Sequence, residues 1–180
     1  MRITGGTLRG RQVQVPAGNI RPAMDRMRES VFATLGDLTA SSFLDLFSGS
    51  GIIALEAASR GAQYVEAVEM DPLKRNTLLA NVKISPVRIN CRFMAAELYV
   101  KRAKRCFDLI FCDPPFPYKF KWELVQSIAA SRLMQEGSML LLHHPREDFC
   151  DNPSVNLILR DTREYGRSVV NFFEFCAQKI

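Results

Sequence analysis

The regular alternation of short apolar stretches with segments of helical periodicity constrains the fold most, and it runs from residue 43 to residue 142. The apolar stretches predict strands, and the segments between them carry apolar residues at helical spacing. The predicted strands are 43–47, 64–69, 88–93, 107–112 and 138–142, and the predicted helices are 51–60, 71–83, 95–103 and 122–133. Strand and helix in alternation, with short connections, predict an α/β fold with a mostly parallel sheet and helices on both faces.

The last part of the chain departs from this alternation. Residues 155–160 and 168–176 form two strand-like stretches joined by a turn around Gly166. Two strands in direct succession predict an antiparallel hairpin that completes a seven-stranded sheet. With 180 residues, of which 47% are hydrophobic, the chain can bury one sizeable core.

The first 40 residues precede the alternating pattern. Residues 2–15 alternate loosely and contain three glycines, which predicts a short hairpin, and residues 25–35 have helical spacing with Gly36 as a stop. We therefore expect a hairpin and helix at 1–40, appended to a domain at 41–180 that carries the alternating pattern. The six arginines of this appendage (Arg2, Arg9, Arg11, Arg21, Arg26 and Arg28) make it basic and a candidate for binding RNA.

Cysteine usage and hydropathy predict the compartment. The five cysteines form no CxxC pair, and the opening MRITGG lacks the apolar core of a signal peptide. No apolar run approaches the roughly 20 residues that cross a bilayer. The sequence predicts a reduced, cytoplasmic protein without a membrane segment.

Basic residues collect in three places although the net charge is only +5. The clusters are Arg2, Arg9, Arg11, Arg21, Arg26 and Arg28, opposed by Asp25; Lys101, Arg102, Lys104 and Arg105; and Lys119 and Lys121. Such clusters are compatible with solubilising surface charge. They are equally compatible with a polyanionic partner, RNA or DNA.

The segment DLFSGSG, residues 45–51, follows the first predicted strand. Gly49 and Gly51 let the backbone turn tightly and approach a ligand, while the next helix presents its free N–H groups. Glu69 ends the second strand, where a carboxylate can accept the hydroxyl hydrogens of a ribose. These features predict a pocket for an adenosine-containing cofactor. Together with Ala54 the glycines also match the dinucleotide-binding pattern, so a nicotinamide-dependent oxidoreductase and a purely structural turn stay open here.

The fourth predicted strand ends in Asp113, Pro114, Pro115 and Phe116. Prolines have no N–H, so this strand end is rich in acceptors and poor in donors. Such a site suits the exocyclic amine of a nucleobase, with Asp113 and the carbonyl of Pro114 accepting its N–H bonds and Phe116 stacking on the base.

These residues resemble the class I S-adenosylmethionine-dependent methyltransferases, and within them the bacterial 16S ribosomal RNA guanine-N2 methyltransferases of the small-subunit methyltransferase D type. The resemblance covers nearly the whole chain and implies a Rossmann-like fold. It is carried by DRMRESVF at 25–32, LDLFSGSGIIALEAASRGA at 44–62, VEMD at 68–71, FDLIFCDPPF at 107–116 and YGRSVVNFFE at 165–174.

The resemblance implies roles for individual residues. The implied cofactor site contains Asp45, Phe47, Ser48, Gly49, Gly51, Glu69, Met70 and Ala95. The implied catalytic residues are Asp113, Pro114, Pro115 and Phe116, and the candidate RNA contacts are Arg9, Arg11, Arg21, Arg26, Arg28, Tyr118 and Lys119. The family usually places an acidic residue near the adenine, where this chain has Met94, Ala95 and Ala96. Relatives are expected to carry an acidic residue after the fifth strand, where this chain has His143 and His144. Neighbouring residues on a strand point to opposite faces, so the histidine pair is not predicted to bind a metal.

The expected reaction is transfer of a methyl group from S-adenosylmethionine to the N2 amine of a guanine in 16S ribosomal RNA, with the base unpaired or flipped out. The expected partner is 16S ribosomal RNA within the small subunit or an assembly intermediate, bound by a monomer. A DNA adenine-N6 or cytosine-N4 methyltransferase, a nicotinamide-dependent oxidoreductase and a noncatalytic RNA-binding module remain alternatives.

Overall fold

The computed structural model describes residues 1–15, 23–148 and 153–177, with the backbone alone for residues 23 and 24. The helices are α1 (Ala23–Leu35), α2 (Ile52–Ser59), α3 (Arg75–Asn81), α4 (Ala96–Lys101) and α5 (Lys121–Ala129), with 3₁₀ turns at Pro72–Lys74, Val82–Ile84 and Arg146–Asp148. The strands are β1 (Ser42–Leu46), β2 (Tyr64–Val68), β3 (Ile89–Arg92), β4 (Leu109–Cys112), β5 (Met139–Pro145), β6 (Leu157–Tyr165) and β7 (Ser168–Phe175). The predicted RNA contact Arg21 lies outside the described residues.

The seven strands form one sheet in the order β3-β2-β1-β4-β5-β7-β6. Strands β1 to β5 are parallel, and β7 runs antiparallel between β5 and β6. The predicted fold, a mostly parallel seven-stranded sheet with an antiparallel C-terminal hairpin, is confirmed. The strand order reverses between β1 and β4, where Leu46 lies opposite Cys112. The segments that follow these two residues therefore leave the same edge of the sheet side by side, at the place where α/β sheets bind ligands.

Apolar side chains from alternate strand positions form one core cluster on each face of the sheet. Phe43 of β1 packs with α1 and α2, whereas Leu44 faces α4 and α5. Every residue of α2 is buried, since this helix lies between the sheet, α1 and the N-terminal segment. Burial of each Leu or Phe contributes about 1.5–3 kcal/mol, so the two clusters fix the sheet edge that carries the loops.

The N-terminal segment, residues 1–15, packs on α2. An antiparallel bridge joins Arg2 to Gln12, and Ile3 and Val13 are buried in the core cluster. The Ser59 hydroxyl donates to the carbonyl of Gly5 at 2.6 Å and accepts from the amide of Leu8 at 2.8 Å. The segment is therefore tied to the core by both apolar burial and polar contacts.

Several element boundaries differ from the sequence predictions: the strand predicted at 155–160 is β6 at Leu157–Tyr165, and the helix predicted at 122–133 is α5 at Lys121–Ala129. The predicted helix 71–83 is divided into a 3₁₀ turn, α3 and a second 3₁₀ turn, although Asp71 caps its start by accepting from the amide of Leu73 at 2.9 Å. Strand β5 continues to Pro145 instead of ending at residue 142, because β7 pairs with it through that residue. No helix within the described residues is long and apolar enough to cross a bilayer.

Candidate active site

The loop after β1 turns through left-handed backbone conformations at Phe47 (φ 64°), Gly49 (φ 58°) and Gly51 (φ 81°). A side chain at Gly51 would also place its Cβ 2.6 Å from Cδ1 of Leu78, so two independent constraints require glycine there. Phe47 is not a glycine, and holding it in this conformation costs about 1–3 kcal/mol. Strain of this kind often marks a backbone shaped for a ligand.

Glu69, one residue beyond β2, connects the loop after β1 to the segment that follows β2. Its Oε2 accepts from the amide of Gly49 at 2.8 Å, and its Oε1 accepts from the amide of Asp71 at 2.8 Å. The side chain is buried, and each carboxylate oxygen retains capacity for a further hydrogen bond. Met70 follows with its side chain largely exposed at the same edge. The two hydrogen bonds of Glu69 hold its carboxylate at this edge of the sheet. Binding of the ribose by Glu69 and contact of Met70 with the adenine remain predictions.

Asp45 lies beneath the loop and is almost fully buried. Its Oδ2 accepts from the Ser48 hydroxyl at 2.6 Å and from the amide of Ala54 at 3.2 Å. Its Oδ1 has no partner among the described residues. Burial raises the pKa of Asp45 to about 8, and the negative charges of Asp113 and Glu69 add to the effect. A cation placed beside Asp45 would therefore lower this pKa and stabilise the ionised carboxylate.

Asp113 follows β4 at the adjoining strand end. Its amide donates to the carbonyl of Leu46 at 3.3 Å, and its Oδ1 lies 2.6 Å from Nδ1 of His143 on β5. The His143 ring is buried and packs edge-on against Phe116 at 5.3 Å between centroids. One histidine therefore contacts both ends of the Asp-Pro-Pro-Phe segment. No contact of His143 is predicted from the sequence, where its position just after the predicted strand 138–142 is the available signal.

Lys121 anchors the loop from Phe116 to Tyr118. It is 3% exposed, and its ammonium donates to the carbonyl of Phe116 at 2.8 Å, to the carbonyl of Tyr118 and to Asp148. Placing Lys121 in a basic surface cluster was therefore wrong. A buried ammonium needs three acceptors, and the loop carbonyls and the Asp148 carboxylate supply them.

A cavity of about 780 Å³ joins these strand ends, a volume typical of ligand sites. Phe47, Glu69 and Met70 line one side. The substrate segment, residues 113–118, lines the other side together with His143. Predicted cofactor residues and predicted catalytic residues thus meet in one crevice. Ala95 directly precedes α4, whose Glu97 also lines the cavity and accepts from the Tyr118 hydroxyl.

The remaining predicted RNA contacts lie in different environments. Arg9, Arg11, Arg26 and Lys119 are exposed. Arg28 is 2% exposed and donates to Glu56 Oε1 at 2.9 Å, to Asp25 Oδ1 at 3.1 Å and to the carbonyl of Arg2 at 2.7 Å. This burial does not suit the predicted contact of Arg28 with RNA. The side chain instead joins α1 and the N-terminal segment to α2.

Comparison with known proteins identifies the family. A family described as "Conserved hypothetical protein 95" matches residues 1–174. The chain belongs to this family. It is similar to ribosomal RNA small subunit methyltransferase D of Escherichia coli, with 28% identity over 99% of this chain and 91% of that protein. The protein of the same name from Haemophilus influenzae is 27% identical over 89% of this chain and 87% of that protein. The resemblance predicted from the motifs is confirmed.

Solved structures of similar sequence share the whole fold. The structure of yhhF from Escherichia coli superposes with a TM-score of 0.89 at 27% identity and 99% coverage of both chains. A hypothetical protein of Thermus thermophilus superposes with a TM-score of 0.82 at 30% identity, over 97% of this chain and 99% of that one. These solved structures match the fold of this chain over nearly its whole length.

Proposed function

We propose that the protein transfers a methyl group from S-adenosylmethionine to the exocyclic N2 amine of a guanine in 16S ribosomal RNA. Methylation of ribosomal RNA with this cofactor follows from membership of the family and from its relatives named ribosomal RNA small subunit methyltransferase D. The choice of guanine N2 and of the small subunit is the proposal. Action as a monomer in the cytoplasm stays a prediction.

The cofactor is S-adenosylmethionine, and the charges of the crevice fit it. Asp45, Glu69 and Asp113 gather at one edge of the sheet, and Asp45 has a buried oxygen without a partner among the described residues. S-adenosylmethionine carries a sulfonium and an ammonium, both cationic, besides one carboxylate of its own. The carboxylate of Glu69 attracts these cations, and Asp45, whose pKa is raised to about 8, adds a negative charge once a nearby cation draws off its proton. The pyrophosphate of a nicotinamide dinucleotide would be repelled by these acids, and the one lysine among the described residues that line the cavity, Lys74, lies 3.8 Å from both Glu69 Oε2 and Asp71 Oδ2. This electrostatic argument disfavours the oxidoreductase alternative left open by the glycine pattern.

The acceptor-only end of β4 carries the proposal of an amine substrate. Pro114 and Pro115 have no N–H to donate, and Asp113 presents its carboxylate to the cavity. Asp113 and the carbonyl of Pro114 can accept the two N–H bonds of an amine and hold its nitrogen for attack, while Phe116 stacks on the base. When bound, S-adenosylmethionine supplies an electrophilic methyl group. The amine proton can leave to Asp113 or to water after transfer.

The test is transfer of radiolabelled methyl from S-adenosylmethionine to small ribosomal subunits, free ribosomal RNA and duplex DNA in parallel, followed by nucleoside analysis. We expect label in N2-methylguanine from ribosomal material. Asp113→Ala is expected to keep cofactor affinity and lose at least a hundredfold in rate, roughly the contribution of a positioned acceptor. Label in DNA bases would support the DNA alternative, and full activity of Asp113→Ala would remove the role given to the carboxylate.

A further inference from the structure

A second concave site lies beside the edge strand β3, away from the crevice. It is a cavity of about 420 Å³ that we call the basic pocket, and four cationic side chains line it together with aromatic groups and one acid. The cationic residues are Arg92, Arg102, Lys104 and Arg105. Among the described residues that line it, Glu66 is the one acid. The reaction proposed above gives this pocket no role.

The charge of Glu66 is already satisfied inside the protein. The side chain is 3% exposed, and it accepts from the Tyr99 hydroxyl at 2.6 Å, from the Tyr64 hydroxyl and from Arg92 at 3.4 Å. Burial alone would raise the pKa of Glu66, but the hydrogen bonds from these three residues outweigh it and lower the pKa. Glu66 therefore stays ionised and neutralises Arg92, which leaves three cations without a buried counter-charge.

Those three cations differ from the arginines of the C-terminal hairpin and of the turn before it. On the C-terminal hairpin and the turn before it, each arginine pairs with an acid, as in Arg146–Glu164, Arg160–Glu174, Arg163–Asp161 and Arg167–Glu147. Within the part of the chain that the structure describes, Arg102, Lys104 and Arg105 take part in no ion pair of this kind. The Arg105 guanidinium instead stacks over the Tyr64 ring at 3.5 Å, which fixes its position while leaving its N–H donors available.

Helix α4 connects the crevice to the basic pocket, whose lining extends from Met94 before the helix to Arg105 beyond it. Glu97 in the first turn of the helix lines the crevice, and Arg102 directly follows its last turn. Six helical residues span about 9 Å, a length that about three nucleotides of a stacked strand cover. One nucleic acid can therefore reach both sites at once.

We propose that the basic pocket binds backbone phosphates of the RNA substrate on the flank of the target nucleotide. This inference rests on RNA being the substrate class, as set out in the proposed function. Unpaired cations in a concave surface attract phosphate, and neutralising phosphates releases counterions from the polymer. Contacts of this type position a nucleic acid without reading its sequence.

The test compares two double variants of equal net charge. Arg102→Ala with Lys104→Ala removes two exposed cations of the pocket, and Arg160→Ala with Arg163→Ala removes two paired cations of the hairpin. Affinity for a small-subunit ribosomal RNA fragment is measured by fluorescence anisotropy across a salt series. We expect the pocket variant to bind roughly tenfold more weakly at low salt, with a plot of log affinity against log salt about two units less steep. The hairpin variant is expected to stay within about twofold of the unchanged protein.

Three further readouts separate the explanations. Affinity for S-adenosylhomocysteine and the rate at saturating RNA are expected to be unchanged in the pocket variant. Equal losses in both double variants, or no loss in either, would overturn the proposal. Titration with inorganic phosphate at constant ionic strength tests a small anion, and saturable phosphate binding with unchanged RNA affinity would also overturn it. A failure of the guanine-N2 assignment would appear separately, as a different methylated nucleoside with the binding difference intact.

Discussion

His143 offers the sharpest test of how the crevice works, because it reaches Asp113 from a neighbouring strand. Its Nδ1 lies 2.6 Å from Asp113 Oδ1, and its ring packs against Phe116. A hydrogen bond to a charged group is worth about 1.5–3 kcal/mol. If that energy holds the carboxylate in its reactive position, His143→Ala lowers the rate of methyl transfer by roughly 10- to 150-fold.

The conservative replacement is His143→Asn, whose side-chain amide can donate from nearly the position of Nδ1. We expect it to recover most of the lost rate, since it restores the donor without the imidazole ring. His144 supplies the matched control: it is equally buried, but its Nδ1 lies 2.8 Å from the carbonyl of Pro145 and its ring packs on Trp122. His144→Asn removes a ring of the same size on the opposite face of β5.

The assay is single-turnover methyl transfer at saturating cofactor and RNA, with cofactor affinity from calorimetry and thermal melting to confirm folding. A positioning role predicts a lower rate, unchanged cofactor affinity and rescue by asparagine. A rate for His143→Ala within twofold of the unchanged protein would refute the reasoning. Equal losses in the alanine and asparagine variants would do the same, since the donor would then be irrelevant.

Three further predictions concern stability and the cofactor loop. Gly51→Ala is expected to destabilise the protein by more than about 1 kcal/mol and to weaken cofactor binding, because the added Cβ would lie 2.6 Å from the side chain of Leu78 in α3. Gly36 has a similar φ with open space around it, so Gly36→Ala controls for backbone strain alone. Both variants are measured by calorimetric melting. Glu56→Ala removes the buried carboxylate shared by Arg28 and Arg60, leaves the buried Arg28 with only the exposed Asp25 as an acidic partner, and is expected to cost about 3–5 kcal/mol in urea unfolding, whereas Glu174→Ala in an exposed pair costs at most about 1 kcal/mol. The pKa of Asp45 is raised to about 8 in the folded protein, against an ordinary value of 3.8. The unfolded chain therefore loses this proton first, so the free energy of unfolding without cofactor falls as pH rises between these values. Asp45→Asn is expected to abolish this dependence, and an unchanged slope of unfolding free energy against pH would contradict the assignment.

The sequence allowed the sheet and the crevice to be predicted because both depend on local pattern. The strand ends at residues 47, 69 and 112 were predicted from apolar stretches followed by turn residues, and the parallel topology placed them at one edge. The turn after β1 was also predicted locally, from Gly49 and Gly51, which both have positive φ. The confirmed family resemblance added the cofactor.

Contacts that depend on distant partners could not be predicted. Lys121 and Arg28 belong to charge clusters in the sequence, and only the fold shows that buried acceptors surround them. His143 lies just after the strand predicted at 138–142. Pairing with Val170 of β7 instead continues the strand and brings the imidazole to Asp113. Side-chain burial of this kind is decided by tertiary structure.

The unfavourable features of the cofactor loop share one explanation. Phe47 is held in a left-handed conformation, and Asp45 is buried with one oxygen unpartnered among the described residues and with two other carboxylates nearby. Each feature lowers the stability of the protein without cofactor. A cationic cofactor would compensate the negative charge of the carboxylates and contact the strained backbone. Its binding is therefore expected to raise the free energy of unfolding by more than the contact area alone suggests. The same carboxylates should bind S-adenosylhomocysteine, which lacks the sulfonium charge, less tightly than S-adenosylmethionine. Equal affinities for the two, measured by calorimetry at the same pH and salt, would show that the acidic cluster does not sense the sulfonium.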